Sequence, residues 1–533
     1  MIVSSAISDA GHTTHPRRVE PIGQVLTASA LIVGVALRAC QYAYDRSLWL
    51  DEAEVSLDIL HRSYSGLAKP LNRGQAAPIL WLWAERTSVN LFGNSEWALR
   101  AVPLVASLVA LVAFVALARR LVGPIAAGVA TVAFACSPAL LRYSVEVKQY
   151  GADVACVLLI VLAAVKVLVQ PRRSALVVWA ATCVVTIWFS HASILAAAAS
   201  ACVVAVAVAR SGSRRAMLEV VAPMLFIGAA AAADYALFLR RTADDATLRA
   251  YWASGFESRS LTVGGTMHWL SDAWSRVMAD PGSFAFPRLA LLAAGIALVF
   301  FVARRPWEGA LLATLVAALS AAAVTRHYPL DGRLVLWTIP LLIIVLAHPL
   351  DLALQRVPRG AAWLVPCALA GVSLVVLAPL VRGAKFVGTP MEVTNSRGAY
   401  AFVASHIRTG DALLVESRWT WPTLEYYGPR YGLRETGGFE FVPSPRSCED
   451  RRTLARLLPY QRFWVVLAHH PADEPADRTA IYLSHFNQIG TLRLSFHSTG
   501  DAGAYLFVTG SYETTGPIRA PWAAHSCLVL TPR

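Results

Sequence analysis

The sequence predicts a polytopic α-helical membrane protein of about eleven transmembrane helices, followed by a C-terminal extracytoplasmic α/β domain. Three observations predict it. Apolar stretches of about 17 to 24 residues recur along residues 22–381, each long enough to cross a hydrocarbon layer of roughly 30 Å as a helix. Arginines gather in every second break between those stretches. After about residue 385 the charges nearly balance and the apolar runs shorten to strand length. The bulk numbers agree: 56% of the 533 residues are apolar, 15% are charged, and the mean hydropathy is +0.51, outside the range of soluble domains.

Taken in order, residues 1–21 form a cytoplasmic tail, and the spans fall near 22–42, 98–118, 124–141, 150–169, 175–190, 191–209, 216–239, 287–303, 308–325, 333–350 and 360–381. The first run is too long for a secretory signal and lacks a small-residue cleavage pattern, so it stays as a helix. The basic breaks are Arg17-Arg18, Arg119-Arg120, Arg172-Arg173, Arg210 with Arg214-Arg215, Arg304-Arg305, and Arg356 with Arg359. Placed inside, they put the N-terminus in the cytoplasm and the C-terminal domain outside the cell (inner or plasma) membrane. The net charge of +13 is therefore a topology signal, and it excludes a nucleic-acid partner.

Three outer segments are long enough to fold: 43–96, 240–286 and 385–533. In the first, Leu50, Ala53, Leu57 and Leu60 form a stripe suited to lying flat on the bilayer, with Asp51, Glu54 and Asp58 opposite. A second helix, "APILWLWAERTSVNLFG" (77–93), opens on a proline and ends at Gly93, with Trp81 and Trp83 as interfacial anchors. Between them lies "HRSYSGLAKPLNRGQ" (61–75), whose Arg73 is a substrate-binding candidate. In the last segment 411–416, 462–469, 490–497 and 503–510 read as strands, and 397–407 and 477–489 as helices. Six of the eight cysteines fall in spans; Cys448 and Cys527 are the pair left in an oxidising compartment, as a candidate disulfide or as two buried thiols.

Three charged clusters stand on the outer side. Asp51 with Glu54 fits an N-cap and first-turn acid, but capping does not account for Glu52. In "LLRYSVEVKQYGAD" (140–153), Arg142 fits snorkelling, while Glu146, Lys148 and Tyr150 together fit a substrate-facing cluster. In "TRHYPLDGRLVLWTIP" (325–340), Arg326, His327, Tyr328 and Arg333 sit where the topology rule disfavours cations; a solvated loop or a guanidinium facing a phosphate would explain them. His191 reads as a satisfied helix-end histidine. No P-loop, dinucleotide fingerprint or metal-ligand spacing is present in the sequence.

The "LDE" helix after span 1, "QAAPILWLW...LFGNSEWALRAVPL" leading into span 2, and "EVKQY" before span 4 together resemble the GT-C glycosyltransferases. The sequence is most similar to the protein-mannosyltransferase-like branch that includes the RgtA/B/C/D-like enzymes, over roughly residues 22–350. The resemblance implies a GT-C-like transmembrane domain at 22–384, with a catalytic first outer loop at 43–96, and an extracytoplasmic domain at 385–533. It implies a polyprenyl-phosphate-linked sugar donor in the membrane lipid and a hydroxyl acceptor of unspecified identity. Asp51 takes the place of the family's catalytic acid and Glu52 its neighbour; Glu146 and Tyr150 fall on the second acidic and aromatic motif. Lys148 stands where many relatives carry arginine, so it would bind phosphate as a point charge. Lys148 and Arg333 are the phosphate candidates; Glu146, Tyr150, Tyr328 and Arg73 are the substrate-binding ones. No cofactor is implied, and a divalent metal is not expected to be obligatory. A lipid-linked glycan flippase or a non-catalytic assembly subunit are the alternatives; a transporter should show paired repeats and broken mid-membrane helices, and the sequence shows neither.

Overall fold

The structure is a computed structural model and describes residues 19–257, 262–355, 381–416, 420–439, 448–468, 478–510, 512–518 and 527–532. The chain divides into two compact units: residues 1–44 with 62–390, and residues 45–61 with 391–533.

The first unit is helical. Among the described residues eight helices are long and apolar enough to cross a membrane: Glu20–Ala43, Glu96–Leu121, Tyr150–Val169, Ala192–Arg210, Arg214–Thr242, Pro287–Arg304, Pro306–Val324 and Gly332–Asp351. Two shorter apolar helices, Pro124–Cys136 and Arg173–Phe189, fill the other expected positions, while most of the 360–381 span lies outside the described residues. The boundaries follow local chemistry. Ser95 caps the Glu96–Leu121 helix by accepting from the Ala98 amide at 3.2 Å, and Arg119 and Arg120 close its last turn, where cations complement the dipole. Pro124, Pro287 and Pro306 each stand in a first helical turn, where a missing N–H costs nothing. Ile22, Val112, Leu218, Phe226 and Leu292 remain exposed on the spans, as lipid-facing positions must. Inside, small residues allow close approach: a Cβ on Gly34 would meet Ala135 Cβ and Leu111 Cδ2 at 3.0 Å. Arg38 is buried in the first span, donating to Ser107 Oγ at 2.7 Å and to the Gly34 carbonyl at 2.9 Å. The Ile79–Phe92 helix starts after Pro78 and stops at Gly93, whose φ of +87° favours glycine. Trp81 is fully buried in it, so only Trp83 is left as an interfacial anchor.

The second unit carries a five-stranded sheet and a hairpin. The strands are β1 (Ala412–Glu416), β2 (Gly437–Phe439), β3 (Arg462–Leu467), β4 (Gly490–His497), β5 (Gly503–Thr509), β6 (Tyr512–Ile518) and β7 (Cys527–Pro532). The sheet order is β2-β1-β3-β5-β4; β1 runs parallel to β2 and β3, and β5 antiparallel to β3 and β4. β1 is buried along its whole length, as a central strand covered on both faces should be. β4 is mostly exposed and carries an irregularity between Leu492 and Leu494 that blunts this edge. Phe463, Phe486 and Phe507 fill one face of the sheet, the first and last stacked at 5.2 Å. Helices Ser396–His406, Trp421–Tyr431, Cys448–Leu457 and Arg478–Phe486 complete the unit. The helix beginning at Cys448 packs against the strand beginning at Cys527; the side chains of both lie outside the described residues.

The Leu50–His61 helix is part of this second unit and packs on the Trp421–Tyr431 helix. Its expected bilayer stripe is thereby corrected: Leu50, Ala53 and Leu57 are buried, and so are Glu52 and Asp58, because both faces meet protein.

Candidate functional site

In the second unit, residues 45–49 are irregular backbone, opening on Asp45 at φ +45°, and are tied at several points. Arg397 Nη1 pairs with Asp45 Oδ2 at 2.8 Å, and Arg46 Nη1 donates to the Met391 carbonyl at 2.5 Å. The Leu48 amide donates to the Tyr427 hydroxyl at 2.8 Å. The helix then begins at Leu50, so Asp51 lies inside its first turn rather than at the N-cap, and is half-buried there. Glu52 makes the capping contact instead: its Oε2 accepts from the Trp49 amide three residues back, at 3.4 Å, while Oε1 faces Arg46 at 3.9 Å. Fully buried and ion-paired, Glu52 anchors the turn that carries Asp51.

In the first unit, Tyr150, Tyr328 and Arg333 come together. Arg333 sits in a 3-10 turn, Gly332–Thr338, and its guanidinium lies over the rings of Tyr150 and Trp252 at 5.6 and 5.4 Å. The Tyr328 hydroxyl donates to the Leu334 carbonyl at 2.7 Å and braces that turn. Tyr143 meets Tyr150 edge-on at 5.2 Å. Residues 143–149 form turns between helices, and Glu146 is buried in them. Arg142 pairs with Glu146 at 2.9 Å through i,i+4 spacing, so it does not snorkel. Burial works against the Arg142 charge, but Glu146 and Tyr143 outweigh it and hold the guanidinium firmly protonated. Burial pushes the Tyr143 phenol up, with Glu146 adding to it and Arg142 and Arg333 opposing.

Lys148 follows Glu146 by two residues, and its amide donates to the Glu146 carbonyl at 2.6 Å. Its Nζ donates to Gln75 Oε1 at 2.5 Å, and the neighbouring Gln149 Nε2 donates to the Ala76 carbonyl at 3.4 Å. Two contacts thus tie the 143–149 turn to the loop before the Ile79–Phe92 helix. Arg73 is exposed in that loop with φ +55°. Arg326 donates to the Glu257 carbonyl at 3.0 Å and His327 is exposed. His191 Nε2 is buried with no hydrogen-bond partner among the described residues. Sequence reading missed Gln75 and Trp252. Gln75 opens the motif "QAAPILWLW" but carries no charge, and Trp252 lies in an outer segment without a periodic signal.

Residues 76–251 match the family model described as dolichyl-phosphate-mannose-protein mannosyltransferase. Among solved structures, ArnT from Cupriavidus metallidurans in the apo state is similar, with 14% identity and a TM-score of 0.51 over 90% of this chain and 97% of that one. ArnT bound to undecaprenyl phosphate gives 13% identity and a TM-score of 0.42 over the same shares. The Archaeoglobus fulgidus oligosaccharyltransferase, tethered with an acceptor peptide containing the NVT sequon, gives 10% and 0.45 over 90% of this chain and 74% of that one. No curated protein matches the sequence. With the mannosyltransferase match at residues 76–251 and the likeness to ArnT over 90% of its length, the chain is an integral membrane protein with an ArnT-like fold.

Proposed function

We propose that the protein is an inverting membrane glycosyltransferase that moves a sugar from a polyprenyl-phosphate donor to a hydroxyl acceptor on the extracytoplasmic face. The observation that carries this reading is the gathering of Arg333, Tyr150 and Tyr328, from separate outer segments, on a fold shared with a GT-C enzyme. The family description, which names a dolichyl-phosphate sugar, supports the same donor class.

Asp51 accepts the proton of the acceptor hydroxyl as its oxygen bonds to the anomeric carbon. The bond from that carbon to the phosphate oxygen breaks, and the charge growing on the phosphate is met by Arg333 and Lys148. A guanidinium held near the faces of Tyr150 and Trp252 keeps the planar fork that suits phosphate oxygens. Lys148, positioned by its bond to Gln75, acts as a point charge. Glu146 is balanced by Arg142 and so does not repel the phosphate. Tyr150 supplies the face on which Arg333 rests, and Arg73 and Tyr328 act at the edges of substrate binding.

The test is transfer by purified protein from radiolabelled polyprenyl-phosphate sugars to candidate acceptors. Labelled product from wild type, absent with Asp51→Asn, is expected; no transfer from any such donor would overturn the reading.

A further inference from the structure

Beside Lys148 lies a cavity of about 150 Å³, wholly within the first unit, between the 67–82 segment and residues 237–248. Its position is unusual in one respect: Gln75, which accepts from the Lys148 ammonium, is also part of its wall. Whatever occupies the cavity is one side chain away from the proposed phosphate ligand. The far wall is shaped by a π-turn, Tyr235–Leu239, at the outer end of the Arg214–Asp234 helix, and this turn brings Leu237 and Phe238 to the cavity. Single π-turns are costly irregularities that cluster at functional sites.

The lining is rich in donors. Lys69 and Arg241 contribute cations, and Gln75, whose oxygen accepts from Lys148, stands in the wall beside them. The one carboxylate, Asp245, has Oδ1 committed to capping its own helix, accepting from the amides of Thr247 and Leu248 at 2.8 and 3.1 Å. Beside these polar groups stand Leu67, Ile79 and Phe238. Donors on one side and hydrocarbon on the other suit a ring with oxygen acceptors along its edge and C–H groups on its face. A second cavity, near Trp274 and Trp337, is walled almost entirely by hydrocarbon and offers such a ring no polar partner.

We infer that the Lys69–Gln75–Arg241 cavity is the subsite for the sugar of the donor, and that Gln75 couples it to the phosphate by fixing the Lys148 ammonium. This rests on the proposed donor class. The sugar then lies next to the phosphate it leaves, its hydroxyl and ring oxygens accepting from Lys69 and Arg241.

The test separates sugar from phosphate. Dissociation constants for full-length protein in detergent are measured with bare undecaprenyl phosphate and with its mannose, glucose and arabinose conjugates. The conjugate that binds wild type most tightly relative to the bare lipid is carried forward. Lys69→Ala and Arg241→Ala, at exposed positions that should not disturb folding, are each expected to weaken that conjugate about tenfold while holding bare lipid within about twofold. Lys148→Ala is expected to weaken both ligands alike. The inference is overturned if no sugar adds affinity in wild type, or if the two cavity variants change bare and conjugated lipid equally or not at all. Should Lys148→Ala leave both affinities intact while the cavity variants behave as expected, the sugar subsite stands and the phosphate assignment fails instead.

Discussion

At the scale of single residues, the acids of the first outer loop divide their work. Glu52 is committed to Arg46 and the Trp49 amide, and Asp51 is the acid proposed to take a proton. Asp51→Asn keeps the shape and removes the base, so transfer should fall by about a hundredfold to ten-thousandfold with donor affinity nearly unchanged, read as kcat at saturating donor. Arg333→Ala should lose roughly 1.5 to 3 kcal/mol in kcat/KM for the donor, and Arg333→Lys should recover only part of it, since an ammonium neither stacks nor forks. Glu85 supplies a pH-dependent test. Both its carboxylate oxygens are buried without a hydrogen-bond partner among the described residues, and burial raises its carboxyl well above the usual range. A folded-state value above the unfolded one contributes stability that is complete below about pH 4.5 and is lost as pH rises toward the folded value. Melting curves of Glu85→Gln and wild type should therefore nearly coincide at pH 4 and separate by pH 8, with the variant the more stable. The sequence singles out the charges of the candidate site, because they fall in breaks where the topology rule disfavours cations. Partner choice was not legible even where it was local: Arg142 and Glu146 pair four residues apart although Arg142 reads as a snorkelling side chain, and Lys148 and Gln75 are separated by 73.

At the scale of elements, the strands at 412–416, 462–467, 490–497 and 503–509 and the helices at 396–406 and 478–486 stand within a few residues of where apolar patterning put them. What patterning did not reveal has a physical cause in each case. β2 is three residues, Gly437–Phe439, and exists by pairing with β1 rather than by propensity. β6 contains Gly516 and Pro517, which read as a turn. The Trp421–Tyr431 helix holds Pro422 in its first turn and Pro429 near its end, with no clean apolar stripe. That last helix matters most, because its Tyr427 hydroxyl receives the Leu48 amide and lies 3.3 Å from Ser47 Oγ. Tyr427→Phe leaves a buried amide without its acceptor, at a cost of about 1 to 3 kcal/mol. Hydrogen exchange should show faster exchange from Leu48 through the first turn of the Leu50–His61 helix, with β1, β3 and β5 unaffected.

At the scale of the whole molecule, the alternation of basic breaks carried the span count, since hydropathy and charge act on each segment independently of tertiary contacts. It also predicts that the C-terminal unit lies outside, and on that prediction an impermeant thiol reagent on reduced, intact cells should label Cys448 or Cys527 in that unit. Mass mapping without reductant is expected to find the two joined; a loop of about 80 residues closed this way would add a few kcal/mol. Patterning could not reveal the division of the chain, because residues 45–61 join a unit whose remaining residues begin more than 300 positions later. Engineers who graft acceptor specificity from one such enzyme to another would normally exchange the region after the last span as a cassette. Here that exchange would strand the Leu50–His61 helix on a foreign partner, parting Arg397 from Asp45 and Tyr427 from Leu48. A working chimera must inherit two cassettes from a single parent, the long terminal one and a seventeen-residue insert near the N-terminus, and the shorter of the two brings the acid.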